Sequence, residues 1–276
     1  MKKILIPTDF SESANNALKY GIQMAKKLDY RITLLNIYSI PMYDPNMPAE
    51  MMNTAYQNVS QISKSALKKN YETITLEDPE GSKLIESCIS KMGSITDEIS
   101  LFASEGKFDI IIIGTTGASG VSEMLIGSNA STLISKTETP VIVVPTESKF
   151  KGMLKVVMPV ELDGSEIKII TEARKILPED CAIYPVHFKE ENKTLSGDEQ
   201  KAFANIQSAL SENENAKIIN SDDISTGLDE ILKKYDCNLV LLSTIKRNIF
   251  EKLFHKSIAK KLVCHTTVPM LTLHKK

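Results

Sequence analysis

The sequence is poor in aromatic residues and cysteine, and it has no long apolar run. It contains no tryptophan and four cysteines, which form no CxxC pair. Because disulfide frameworks and zinc sites need closely spaced ligands, we expect buried thiols in a reducing compartment. No stretch approaches the roughly 20 apolar residues that span a bilayer, which argues against a membrane-spanning helix. The cytoplasm is therefore the expected location.

The sequence also lacks an excess of either charge. Its 33 Lys and Arg residues and 35 Asp and Glu residues give a net charge of -2. Such a chain has no broad attraction for nucleic acid or for an anionic membrane, so we expect neither as a partner. Hydrophobic residues make up 42% of the 276 residues, as in folded proteins. This length favours two domains of about 100 to 150 residues each.

An internal repeat divides the chain. Segments 3–7 and 155–159 read KILIP and KVVMP, and each is followed by apolar residues at helical spacing and then by another apolar strand. The order strand, helix, strand predicts a parallel sheet. We therefore expect an α/β protein with two tandem, doubly wound parallel-sheet domains, at 1–147 and 153–276.

A glycine-containing segment follows the apolar run at 110–113. It reads GTTG at 114–117, and after nine further residues comes the pair Gly127-Ser128. Small residues let the backbone approach an anion closely, and a helix that begins near Ser128 would add N–H donors and its dipole. Nucleotide binding is therefore the first functional hypothesis.

Two motifs together closely resemble those of the universal stress protein family, in its tandem two-domain form. One is ILIPTDFS at 4–11, and the other is Gly114-x2-Gly117-x9-Gly127-Ser128. Both occur in the right order inside the repeated pattern, and this combination is more specific than either motif alone. The resemblance is strong over the first half and weaker, though colinear, over the second. It implies a fold like that of the adenine nucleotide alpha hydrolases.

The resemblance also implies ATP as the ligand, with or without Mg²⁺, and it assigns no metal ligand. Asp9 and Ile37 match the positions that hold adenosine in ATP-binding members, and the glycine loop would hold the ribose and phosphates. A carboxylate can accept hydrogen bonds from ribose or adenine, and an apolar side chain can pack on the base. The implied nucleotide-binding residues are Pro7, Thr8, Asp9, Ile37, Gly114, Thr115, Gly117, Gly127, Ser128 and Asn129.

Plainer interpretations exist for each motif taken separately. Asp9 could cap the first helix, although Ser11 is also placed to do so. Gly114 and Gly117 could be turn glycines. The combined spacing with Gly127 favours nucleotide binding by the first domain.

The second domain departs from the motif at its key positions. In an ungapped alignment Gly114, Gly117 and Gly127 become Ser243, Lys246 and Lys256, and Asp9 becomes Glu161, while Ser128 becomes Ser257. Side chains at former glycines would fill the space that a phosphate needs, so we expect no ATP there. The basic residues between 246 and 261 could hold a different anion, but a solvated helix face is the favoured interpretation.

Known enzyme motifs are missing from the sequence. It has no GxxxxGK[ST] loop, and the first strand leads into Pro7-Thr8-Asp9 instead of GxGxxG. We assign no catalytic residue. The leading hypothesis is an ATP-binding stress-response module whose nucleotide state alters its association with unidentified proteins. A slow ATPase or phosphotransfer protein, and a scaffold that uses no nucleotide, are the alternatives.

Three further expectations concern surfaces. The apolar strands 141–144 and 270–273 are predicted to pair, because each would otherwise be an exposed edge. The family resemblance favours a further pairing of whole chains into a homodimer. Segment 41–70, rich in proline and methionine, could form a flap, although packing on its own domain is favoured.

Overall fold

The protein is described by a computed structural model that covers residues 1–39, 48–115, 127–152, 154–221, 224–245 and 268–275. The first half contains β1 (Lys3–Pro7), α1 (Glu12–Leu28), β2 (Arg31–Tyr38), α2 (Ala49–Glu77), α3 (Pro79–Ser82), β3 (Ile85–Met92), α4 (Ile95–Glu105), β4 (Ile110–Gly114), α5 (Ser128–Lys136) and β5 (Val141–Val144). The second half contains β6 (Lys155–Pro159), α6 (Glu166–Ile176), β7 (Ala182–Lys189), α7 (Gly197–Ser208), β8 (Lys217–Asn220), α8 (Ile224–Lys234), β9 (Leu239–Ile245) and β10 (Met270–Lys275).

The strands of the described ranges form one sheet in the order β3-β2-β1-β4-β5-β10-β9-β6-β7-β8. Each half has the same internal order, and its neighbouring strands run parallel. The two halves meet where β5 and β10 pair antiparallel, with Val143 opposite Met270 and Ile142 opposite Leu271. The α/β class, the tandem doubly wound halves and the edge pairing are thus confirmed. The domain boundary stays a prediction.

The core consists of the strands and the helices on both sheet faces. All four residues of β5 are buried, as are Ile4 to Ile6 of β1 and Ile110 to Ile112 of β4. Continuous apolar strands of this kind are typical of parallel sheets covered on both faces. Their carboxyl ends lie at one edge, where a ligand site is expected in such folds.

The linker between the halves lies against α1. The side-chain amide of Asn16 donates to the carbonyl oxygens of Pro145 and Ser148, both at 2.8 Å. Phe150 packs edge-on against Tyr20, with ring centroids 5.3 Å apart. Burial raises the pKa of Tyr20. These contacts fix the path of the chain from β5 to β6.

Direct contacts also join the helical layers of the two halves. The Tyr30 hydroxyl donates to the carbonyl oxygen of Ile176 at 2.9 Å, and Lys27 pairs with Asp180 at 2.9 Å on the surface. Burial, together with the negative charge of Asp109, raises the pKa of Tyr30 to about 12. The halves therefore share contacts beyond the β5–β10 pairing.

Helix α2 covers most of the described part of the proline- and methionine-rich segment 41–70 and extends to Glu77. Its buried residues are Ser63, Leu67 and Ile74, so the favoured packing interpretation holds for the second part of the helix. Met51 is 62% exposed, which contradicts that interpretation near the start of α2, and residues 40–47 lie outside the described ranges. Among the described helices, none has the length and apolar character needed to cross a membrane.

Candidate functional site

A cavity of about 310 Å³ lies at the carboxyl ends of β1, β2 and β4. Nine of the ten predicted nucleotide-binding residues line it, and the tenth, Gly117, lies outside the described residues. These nine are Pro7, Thr8, Asp9, Ile37, Gly114, Thr115, Gly127, Ser128 and Asn129. Residues separated by more than 100 positions in the sequence are therefore brought to one place by the parallel sheet.

The β1–α1 loop places Asp9 at this cavity through a tight turn. The backbone N–H of Phe10 donates to Thr8 Oγ1 at 3.0 Å, and that of Ser11 donates to Asp9 Oδ1 at 3.0 Å. Phe10 has a φ of 66°, in the left-handed region. Helix α1 is capped by Ser11, whose hydroxyl accepts from the Ala14 N–H at 3.2 Å. The interpretation that Asp9 caps α1 is therefore wrong, because Ser11 is the capping residue.

One wall of the cavity is apolar. Leu35, Ile37 and Ile113 come from strands, while Ile95 and Ile99 come from α4. Sequence reasoning missed the two α4 residues. The only signal was the apolar spacing of the helix that follows β3, and this spacing does not specify which cavity the helix reaches. Branched apolar side chains of this kind can pack against a planar ring.

The opposite side of the cavity is formed by backbone and small side chains. The N–H of Thr115 donates to the Val144 carbonyl at 3.2 Å, and the Thr115 carbonyl accepts from the N–H of Gly127. The second contact places the start of α5 beside the end of β4. Gly127 is the N-cap residue of α5 and provides no side-chain cap. The first N–H groups of a helix have no partner within it, so Ser128 and its neighbours present donors there.

Gly114 is required by helix packing. A Cβ at this position would come within 2.7 Å of the backbone carbonyl group of Ser13 on α1. The glycine thus lets the first turn of α1 lie against the end of β4. A side chain here would displace α1, and with it the Asp9 loop. The sequence-based interpretation assigned this glycine to the phosphates and did not foresee its contact with α1.

Asp9 is the charged residue among the described residues that line the cavity. Within those same ranges, no group of three His, Cys, Asp or Glu side chains is placed to hold a metal ion. Asp9 is exposed, so its carboxylate can accept a hydrogen bond from a bound molecule.

In the second half, a buried carboxylate from the first residue of α6 bonds the corresponding loop. Glu166 is 3% exposed, and its carboxylate accepts from the N–H groups of Asp163 and Gly164 at 3.0 and 2.9 Å. Leu162 repeats the left-handed conformation of Phe10, with a φ of 61°. Lys246, Lys256 and Ser257 lie outside the described residues.

The sequence model of the universal stress protein family matches residues 1–145, which is half of the chain. With the fold and the cavity described above, the chain belongs to the universal stress protein family.

Two curated relatives come from Methanocaldococcus jannaschii. Universal stress protein MJ0531 is 32% identical over 152 residues, which cover 54% of this chain and 84% of the relative. Universal stress protein MJ0577 is 30% identical over 161 residues, covering 52% of this chain and 94% of the relative. Both relatives match about half of this chain.

A solved structure resembles both halves together. It is a universal stress protein from Archaeoglobus fulgidus, with a TM-score of 0.68 and 13% sequence identity. The match covers 99% of this chain and 96% of that one. At this identity the likeness concerns the fold, and it extends to the tandem arrangement.

Proposed function

We propose that the first half binds an adenine nucleotide, with ATP as the leading candidate. The observation that carries this proposal is the convergence of the two sequence motifs on one cavity. Asp9 and Ile37 come from the first two strands, while Gly127 and Ser128 follow the fourth. A ligand that touched all of them would have an apolar planar part, a hydrogen-bond donor and an anionic part.

The two sides of the cavity match the parts of such a nucleotide. The base packs against the apolar wall of Ile37, Ile95 and Ile99. Asp9 accepts a hydrogen bond from the ribose or from the base. The phosphates lie at the start of α5, where backbone N–H groups and the helix dipole favour negative charge. Mg²⁺ would reach the site with the phosphates.

We further propose that the protein works as a binding module rather than by rapid turnover. Phosphoryl transfer needs metal ligands and a positioned nucleophile in addition to a phosphate-binding loop, and the sequence motifs supply only the loop. The nucleotide state would alter association with protein partners in the cytoplasm, and a homodimer is one such association. A turnover assay with ATP separates this proposal from a slow ATPase.

Calorimetric titration with ATP, ADP and AMP, with and without Mg²⁺, tests the binding site. The informative variant is Gly117→Lys, which copies the second half. Its matched control is Gly197→Lys, because a side chain at Gly197 meets no atom within 4 Å. We expect the unchanged chain and the control to bind ATP alike, and Gly117→Lys to bind at least about tenfold more weakly.

Two results would contradict the proposal. The unchanged chain could bind none of the three nucleotides, which would favour a scaffold that uses no nucleotide. Alternatively, Gly117→Lys could bind as tightly as the control, which would place the nucleotide elsewhere.

A further inference from the structure

Asn36 is a buried polar residue at the end of β2, directly before Ile37. It is 6% exposed, and its side-chain N–H donates to the carbonyl oxygen of Thr8 at 2.7 Å. Thr8 is also 6% exposed, and its own N–H donates to the Leu35 carbonyl at 2.8 Å. The carbonyl of Thr8 is the last one before Asp9. Asn36 thus fixes the peptide plane from which the Asp9 turn starts.

The other end of the Asn36 amide is held by helix α2. Its Oδ1 accepts from the Ser63 hydroxyl at 2.6 Å, and the Ser63 and Ser90 hydroxyl oxygens lie 2.5 Å apart. Since Ser63 gives its one proton to Asn36, Ser90 donates to Ser63. A single-direction chain of hydrogen bonds therefore runs from β3 through α2 and Asn36 to Thr8. Such chains strengthen each member.

The second half contains the same contact with a different side chain. His187, the counterpart of Asn36, has its Nδ1 2.9 Å from the carbonyl oxygen of Val160, the counterpart of Thr8. To bond this oxygen, Nδ1 must carry the proton. The Val160 N–H donates to the Val186 carbonyl at 2.9 Å, as Thr8 does to Leu35. In both halves, therefore, a side chain of the second strand donates to the carbonyl oxygen of the loop, that of Thr8 in the first half and that of Val160 in the second.

We propose that Asn36 is a positioning residue for the nucleotide site, and that through Ser63 it couples the Asp9 loop to helix α2. This inference rests on the proposed nucleotide binding. A nucleotide that holds the loop also orders α2 around Ser63, because coupling between two sites acts in both directions. The part of α2 around Ser63 is then the region that changes with nucleotide state.

Four variants isolate this chain of hydrogen bonds. Asn36→Leu removes both bonds of the amide at similar volume. Asn36→His supplies the donor that His187 provides in the second half. Ser63→Ala removes the contact with α2 and leaves the bond to Thr8. Ser65→Ala is its matched control, since Ser65 is exposed and its hydroxyl accepts a long bond from the Gln61 amide, at 3.4 Å.

Two measurements apply to each variant: ATP affinity by calorimetry, and amide hydrogen exchange with and without ATP. For Asn36→Leu we expect faster exchange at residues 8–14 without nucleotide, and at least about tenfold weaker ATP binding. Asn36→His should restore most of the slow exchange at residues 8–14 and most of the ATP affinity. Ser63→Ala should lose the ATP-induced slowing of exchange at residues 58–67, which the unchanged chain and Ser65→Ala retain.

Three outcomes would overturn the inference. One is normal loop exchange and ATP affinity in Asn36→Leu. Another is a folded Asn36→His that is as impaired as Asn36→Leu. The third is an α2 that responds to ATP equally in Ser63→Ala and Ser65→Ala. If Asn36→Leu does not fold, the other variants still decide the question. If the unchanged chain binds no nucleotide, the proposed function fails, while loop exchange without nucleotide still tests the positioning role.

Discussion

The first loops of the two halves share a backbone path but differ in what their side chains do with it. Phe10 and Leu162 both have a positive φ, and in each half a side chain of the second strand, Asn36 or His187, bonds a carbonyl oxygen of the loop. In the first half, Ser11 caps α1 and a cavity stays open beside Asp9. In the second half, the carboxylate of Glu166 folds back onto the loop. The two halves thus differ, within the described residues, in which side chain contacts the N–H groups of the loop after the first strand.

The largest expected effect concerns the β5–β10 pairing that joins the halves. Val143 is 1% exposed and lies opposite Met270. Val143→Lys places a charge in this buried, apolar strand pairing, so we expect the free energy of unfolding to fall by about 3 kcal/mol or more. Urea denaturation measures the loss. Thr54→Lys, at an exposed position of α2, is the control, and equal stability of the two variants would contradict the prediction.

The next prediction converts a residue of the first half into its counterpart. Gly114→Ser copies Ser243 and forces a Cβ against the Ser13 backbone. We expect a loss of about 2 kcal/mol in unfolding free energy, as for other overpacked sites, together with weaker ATP binding. Gly197→Ser adds the same atoms in open space and should change neither. Normal stability of Gly114→Ser would show that α1 does not pack as closely as described.

The tandem parallel-sheet halves and the β5–β10 pairing could be predicted because repeats, apolar runs and exposed edges are properties of short segments. The contribution of Ile95 and Ile99 could not, because it depends on where α4 packs after the chain has folded. The same holds for Gly114, whose contact with Ser13 joins residues about 100 positions apart. Gly117 as a phosphate ligand stays a prediction.

A pH-dependent prediction concerns the core of the second half. Burial, reinforced by the nearby charge of Glu214, raises the pKa of the Cys181 thiol to about 12, against about 8.5 in an unfolded chain. The unfolded state therefore loses this proton first. The contribution of this thiol to the free energy of unfolding is therefore fully present below pH 8.5. It is lost as the pH rises towards 12, by up to about 1.4 kcal/mol per pH unit.

The variant Cys181→Ala isolates this contribution. Its unfolding free energy should decline less steeply than that of the unchanged chain between pH 9 and 11, as measured by urea denaturation at each pH. Cys88, on β3 of the first half, is the comparison: the residue is exposed, and although burial also raises the pKa of its thiol, the slope of Cys88→Ala should stay closer to that of the unchanged chain. Identical slopes for both variants would refute the assignment.

The smallest expected effect is on ligand affinity alone. Ile95 lines the cavity and is 40% exposed, and Ile167 on α6 is also 40% exposed. Ile95→Ala should weaken ATP binding about three- to tenfold because apolar contact with the base is lost. Ile167→Ala should leave the affinity unchanged. Calorimetry compares the two, and equal affinities would remove Ile95 from the site.

The most direct test of the central claim is amide hydrogen exchange across the whole chain, with and without saturating ATP. With ATP we expect slower exchange at residues 7–14, 35–38 and 127–133, and no change at the corresponding second-half segments 159–166 and 186–189. Slowing in the second-half segments, or no change in either half, would contradict the claim that one half alone has kept a nucleotide site.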